Sequence, residues 1–328
     1  MQQPFSPMRR IVPTDGPIFP LAGLNGARPP APAWFENALA VAPERGEFFG
    51  NGVPIELLTW GEVGKPGLLF LHGYAGHADW WSFVAPFFAA DYRCAAISFA
   101  GMGRSGHRPG GIYDFGAWAD DAHQAIAAAG LDASGARPVV VAQSMAGFVA
   151  LLAAIRHDCF SGLIPIDTGY RTEALPPADR VRLGQGHRDR LFATVAEGLA
   201  RYRLSPDQPC ANPFVLDHVA RLSLREADGG WRWLLDPAMT TDLRLCWEPE
   251  MLRQAACPMA YVHGQRSALV AHRIAGIRAA LKPGDVAIEI PDADHNVLAD
   301  QPLALIAVVR TVLAGWRAEA AIGKGAGR

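Results

Sequence analysis

The sequence predicts an α/β protein: a mostly parallel twisted sheet with helices on both faces, and a helical insertion ahead of its penultimate strands. Three observations carry this. Short, continuous apolar runs alternate with longer stretches of helical spacing. The apolar runs lack polar alternation, so both of their faces are covered. The alternation breaks once, from about residue 171 to 250, and then resumes.

Composition agrees with a globular chain. The 328 residues are 50% hydrophobic and 19% charged, which leaves no room for wholesale disorder. That length suits a core with a smaller inserted domain. A formal net charge of -2 carries no electrostatic footprint for nucleic acid or an anionic membrane. The five cysteines are scattered, without a CxxC pair or zinc-ligand spacing, and are expected to be reduced thiols. No apolar stretch follows Arg9-Arg10, so no secretory leader is predicted. No run reaches the roughly 18 apolar residues of a membrane span. The expectation is a soluble, cytoplasmic protein.

Along the chain, residues 1–45 are rich in Pro and Gly and are expected to form an irregular arm. Residues 46–170 and 251–328 are assigned to the core, and 171–250 to a helical cap. Segments 47–49 and 55–60 flank Asn51-Gly52, a hairpin signal. Segments 68–71, 93–99, 138–141 and 163–166 read as buried strands, as do 259–263 and 286–290 after the insertion. Segments 114–129, 145–156, 271–281 and 301–317 read as helices. Within 171–250 the spacing of apolar residues is helical throughout, and a cap there would overlie the carboxyl ends of the strands, where ligands collect.

Four segments carry chemistry. Leu69-Phe70-Leu71-His72-Gly73-Tyr74-Ala75-Gly76-His77 runs a strand into a glycine loop, with Trp80-Trp81 beyond. Phe99-Ala100-Gly101-Met102-Gly103-Arg104-Ser105-Gly106 is a glycine-rich turn after a strand; it lacks the lysine of a phosphate loop. Val139-Val140-Val141-Ala142-Gln143-Ser144-Met145-Ala146-Gly147 places a serine between a strand and a helix. An ordinary helix N-cap would look the same, but so would a strained turn that lifts a nucleophile off the sheet edge. Ile290-Pro291-Asp292-Ala293-Asp294-His295-Asn296 places a histidine between the last strand and the last helix.

In this order, over residues 70 to 295, the four segments resemble the α/β-hydrolase superfamily, in its capped branch of esterases, lipases and carbon–carbon bond hydrolases. Two departures stand out. Ala142 and Ala146 replace the glycines of the G-x-S-x-G elbow, and Ser98 stands where the D-x-x-G-x-G-x-S turn has its Asp. The resemblance implies the α/β-hydrolase fold, Ser144 as nucleophile and His295 as its base. It also implies an oxyanion hole from the N–H groups of Tyr74 and Met145. His72 is expected to serve the loop shape rather than the chemistry.

The acid follows less directly. The commonest family position, in Gly264-Gln265-Arg266-Ser267, holds Ser267 instead of a carboxylate. Some members place the acid after the preceding strand, and here that residue is Asp167. Asp292 and Asp294 stand too close to His295 in the chain to orient its ring easily, and Asp242 would reach it only from the cap. Asp167 is therefore the assigned acid.

Trp80, Trp81 and Ser267 are taken as substrate-binding candidates, with Trp231 and Trp233 either lining the cap or holding it to the core. Arg171 and Arg266 would meet a substrate carboxylate or lie on the surface. No metal or organic cofactor is called for. The expected partner is a small-molecule ester, cleaved through a covalent acyl-enzyme. Two further readings stay open: ring-fission carbon–carbon bond hydrolysis by the same residues, and a hydrolase-fold binding protein of low turnover. A dehalogenase or epoxide hydrolase would need a carboxylate where Ser144 stands.

Overall fold

Apolar strands decide the architecture, and the computed structural model describes residues 19–170, 182–183, 190–242 and 251–325 of it. The strands are β1 (Glu44–Gly50), β2 (Val53–Trp60), β3 (Gly67–Leu71), β4 (Arg93–Ile97), β5 (Ile112–Tyr113), β6 (Val139–Gln143), β7 (Gly162–Ile166), β8 (Arg182–Leu183), β9 (Leu224–Ala227), β10 (Gly230–Trp233), β11 (Thr240–Asp242), β12 (Ala260–Gly264) and β13 (Val286–Ile290). The helices are α1 (Ala33–Ala40), α2 (Phe115–Ala128), α3 (Met145–His157), α4 (Val195–Leu199), α5 (Pro213–Leu222), α6 (Met251–Gln254), α7 (Ile274–Ala280), α8 (Val297–Asp300) and α9 (Pro302–Gly325).

Eight strands form one sheet in the order β1-β2-β4-β3-β6-β7-β12-β13. The β1–β2 and β2–β4 pairs are antiparallel; every other pair is parallel. Every residue of β3, β4, β7 and β12 is buried, because helices cover both faces of a parallel sheet. Successive side chains of β3 enter opposite cores. Leu69 and Leu71 pack with Trp118 and Val149 from α2 and α3. Leu68 and Phe70 pack with Trp81, Phe88 and the α9 residues Leu305 and Val309. This period of two is the pleat of the strand expressed as two hydrophobic layers.

The hairpin turns at Asn51 and Gly52, both with positive φ (47° and 85°), which matches the twist of the flanking strands. Asp114 caps α2 by accepting the Ala117 N–H at 2.9 Å.

Two expectations are corrected. The segment assigned to an irregular arm contains α1. Pro32 sits at its N-cap with extended backbone, where a missing N–H and a fixed φ do no harm. Phe35 then reaches the core, with ring centroids 5.0 Å from Phe214 and 5.4 Å from Phe83. The insertion, expected to be all-helical, also holds strands. β9 and β10 form a hairpin around Asp228 and Gly229, whose φ values are 52° and 75°. Asp-Gly is itself a hairpin signal, and Trp231 and Trp233, two residues apart, are spaced for one face of a strand and not of a helix. β11 pairs with β5 of the core and with β8, tying the insertion to the main body. Among the described residues no helix is long and apolar enough to cross a membrane.

Candidate active site

The strand β6 ends at Gln143, and the chain turns at once into α3 through Ser144. That residue has φ 53° and ψ -119°, a region an L-residue adopts at a cost of order 1–3 kcal/mol. The turn is over-determined. The Ser144 N–H donates to Ile166 O at 2.7 Å, and its carbonyl accepts from Gly147 N–H at 3.0 Å and Thr168 Oγ1 at 2.9 Å. Ala142 and Ala146 are both fully buried, so the methyl groups that replace the family glycines are packed, not clashing. The tightest approach falls one residue later, where a Cβ on Gly147 would stand 1.9 Å from Thr168 Oγ1.

His295 lies between β13 and α8 and Asp167 directly follows β7, so the topology brings both to the edge where Ser144 stands. The His295 Nε2 is 2.8 Å from Ser144 Oγ, and its Nδ1 is 2.7 Å from Asp167 Oδ2. Asp167 is completely buried. Its charge is met by donors: Gly264 N–H to Oδ1 at 3.0 Å, and Ser267 Oγ–H to Oδ2 at 2.6 Å. A carboxylate can only accept, so Nδ1 carries the ring proton and Nε2 presents its lone pair to the serine. Gly264 is required there, since a Cβ would come within 2.4 Å of Asp294 O in the histidine loop.

The loop after β3 packs against the serine from the other side. A Cβ on Gly73 would be 3.3 Å from Ser144 Cβ, so Tyr74, the next residue, continues a backbone that already lies against Ser144. Met145 opens α3, where the first N–H groups have no intrahelical acceptor and the helix dipole favours negative charge. His72 shapes the loop. Its Nε2 accepts the Phe99 N–H at 3.0 Å and its Nδ1 donates to Gly73 O at 2.7 Å. Burial drives its pKa down to about 3, so the ring is neutral in this role.

The turn after β4 supports this loop, and the carboxylate it lacks in sequence comes from elsewhere. Glu56 of β2 is buried and accepts from Ser98 Oγ at 2.6 Å and Arg104 N–H at 3.1 Å. Ser98 in turn accepts the Ala78 N–H at 2.9 Å. Glu56 thus occupies the role of the missing Asp, with Ser98 as the short link to it.

Two candidates sit elsewhere than expected. Trp80 does line the cleft in front of Ser144, together with Gly73, Tyr74, Ser205 and Asn296. Trp81 does not: it is buried in the core with its ring 5.0 Å from that of Phe70, because both tryptophans lie in the 3-10 turn Ala78–Trp81, where successive side chains point about 120° apart. Ser267 is fully buried and its hydroxyl is spent on Asp167, so it stands behind the acid and not against substrate. Arg266 braces the histidine loop, 3.5 Å from Asp292 and 3.6 Å from Asp294. Trp233 packs within the insertion against Phe192 and Tyr202. Arg171 lies outside the described residues, and Asp242 belongs to β11.

Residues 68–308 match the model of the alpha/beta hydrolase family. The chain belongs to that family. Like this alpha/beta hydrolase, a serine hydrolase-like protein of Danio rerio shares part of the sequence: the two are 29% identical over 200 residues, 55% of this chain and 60% of that relative. The match thus spans less than two thirds of the relative's length. Two solved structures share the fold. The thioesterase domain from the curacin biosynthetic pathway superposes with a TM-score of 0.66 at 22% identity, covering 82% of this chain and 99% of that one. An esterase of M. tuberculosis superposes with a TM-score of 0.61 at 21% identity, covering 90% and 96%.

Proposed function

We propose that this alpha/beta hydrolase is a cytoplasmic enzyme that cleaves a carboxylic ester by acyl transfer through Ser144. The observation that carries the reading is the unbroken row from Ser144 Oγ to His295 Nε2 and from His295 Nδ1 to Asp167 Oδ2, at 2.8 and 2.7 Å.

As Ser144 Oγ attacks the ester carbonyl, its proton passes to His295 Nε2. Asp167 holds the ring in the right tautomer and stabilises the imidazolium. The Tyr74 and Met145 N–H groups receive the oxygen on which negative charge develops, each worth about 3–4 kcal/mol of barrier. His295 then gives its proton to the leaving alcohol oxygen, and the acyl group stays on Ser144. In the second half, water loses a proton to His295 as it attacks the acyl carbon, and Ser144 leaves with that proton. Trp80 forms an apolar wall of the cleft and favours an apolar or aryl substituent.

A panel of p-nitrophenyl esters with graded acyl chains, run on wild type and on Ser144→Ala, tests this. The expected result is turnover with a loss on the order of 10⁶ in Ser144→Ala and about 10⁴ in Asp167→Asn. Labelling of Ser144 by a fluorophosphonate probe should accompany it. Turnover of a vinylogous diketone but of no ester would replace the reading by carbon–carbon bond hydrolysis. An unlabelled Ser144 with no turnover would leave a binding protein.

A further inference from the structure

The peptide groups on either side of His295 are not held by ordinary backbone pairing. The Asp294 N–H donates to Asp300 Oδ2 at 2.8 Å, and the Asn296 N–H donates to Gln208 Oε1 at 2.9 Å. These two acceptor side chains are themselves joined, since Gln208 Nε2 donates to the same Asp300 Oδ2 at 2.8 Å. Residues 294, 300, 208 and 296 therefore close a ring around the catalytic histidine. Gln208, Asn296 and Asp300 are all buried.

Gln208 comes from the insertion, 88 positions away in the chain. Its Oε1 also accepts from Asn296 Nδ2 at 2.8 Å, and Asn296 Oδ1 accepts from Gln143 Nε2 at 3.2 Å. Gln143 directly precedes Ser144, so the ring touches the nucleophile strand as well. A second residue of the same segment, Asn212, donates to Ala299 O and Asp300 O at 2.8 and 2.9 Å. Only an amide with its oxygen toward Asn296 and its nitrogen toward Asp300 satisfies every group at once. A buried network of this kind holds one geometry when complete and is costly when a member is lost.

We propose that Gln208 is a positioning residue for His295: by clamping both flanks of the histidine it makes the insertion a working part of the site. This rests on His295 being the general base. The base is then in register with Ser144 only while the insertion is seated.

The test uses Gln208→Met, which keeps length and loses all three side-chain bonds, and Gln208→Glu, which keeps the acceptor and loses the donor. Gln208→Met should lower kcat for a p-nitrophenyl ester about 10- to 100-fold with KM within about threefold. Fluorophosphonate labelling should slow by a similar factor, and the downfield proton resonance of His295 Nδ1–H should shift or broaden. Gln208→Glu sets two carboxyl groups together, with Asp294, Arg266 and Cys210 also facing Asp300. Burial already lifts Asp300 to about 6, so the pair should take up a proton in mild acid and regain the donor. The activity of Gln208→Glu relative to wild type should therefore rise as pH falls from 8 to 5.5, which a merely structural lesion would not do. If Gln208→Met does not fold, this ratio decides, and a flat ratio overturns the proposal. Unchanged kcat, labelling rate and resonance in Gln208→Met also overturn it. A wild type with neither turnover nor labelling would sink the ester reading instead, while the resonance would still report whether the clamp holds the ring.

Discussion

Ser267 and Asp167 share a 2.6 Å hydrogen bond, and the oxygen that Ser267 reaches is the one that also receives His295 Nδ1–H. The position where the family most often carries its carboxylate thus holds a donor that serves a carboxylate on the neighbouring strand. A buried Asp accepting from Gly264, Ser267 and His295 has its charge met without a cation. Removing one such donor from a charged acceptor costs about 1.5–3 kcal/mol. Ser267→Ala should therefore lower kcat roughly tenfold with KM little changed. Steady-state kinetics on the variant check this, and an unaltered kcat would mean that Ser267 is only filler.

The elbow stores strain at Ser144. Ser144→Ala keeps a Cβ at φ 53° and keeps the strain, whereas Ser144→Gly removes it. Both variants should be inactive, but Ser144→Gly should be more stable than Ser144→Ala by about 1 kcal/mol. Urea denaturation of the pair measures the difference. Equal midpoints and slopes would show that the turn is relaxed.

Gly73 is a point of contact and not of flexibility. A methyl group there would press on Ser144 Cβ from 3.3 Å, tighter than ordinary packing. Gly73→Ala should move the loop that carries the Tyr74 N–H away from Ser144 and lower kcat at least tenfold. Its melting temperature should stay within a few degrees of wild type, because only a few tenths of an ångström of relief is needed. A calorimetric scan beside the kinetics separates the two effects.

Buried histidines set the response to acid. Burial lowers His72 to about 3 and His218 to about 4, and lowers His77 as well. An unfolded histidine takes up its proton near 6.5, while these folded ones refuse it until far lower. The unfolded state thus binds more protons in between, and stability falls as pH drops below 6.5. The loss from His72 and His218 together is on the order of 5 kcal/mol by pH 4. Asp121, Asp294 and Asp300 act in the opposite sense, each raised by burial, Asp300 to about 6. Their stability is present below the ordinary carboxylate range and lost as pH rises through their raised values, so it offsets part of the histidines' loss. Denaturant midpoints at pH 7, 6, 5 and 4 should decline steadily, and His218→Gln should flatten the decline.

What could be read along the chain is what local pattern encodes. The run from Val139 to Gly147 carries its own strand, turn and helix. The place of His295 after β13 and of Asp167 after β7 follows from strand ends, and strand ends follow from apolar periodicity. Asp228-Gly229 was legible in the same way, as a two-residue hairpin turn, although helical spacing around it pointed the other way. The prolines before α1 read as breakers, yet Pro32 fits at the start of a helix.

Other relationships had no local trace. Glu56 serves Ser98 across 42 positions, Gln208 serves Asn296 across 88, and Ser267 serves Asp167 across 100. Whether Trp80 or Trp81 faced the cleft depended on one turn of the chain above the sheet. Periodicity and turn chemistry are properties of neighbouring residues, so the order of strands and helices was written in the chain itself. Which buried donor met which buried acceptor was settled only when packing brought distant segments together, because a buried polar group must take whatever partner the fold delivers to it.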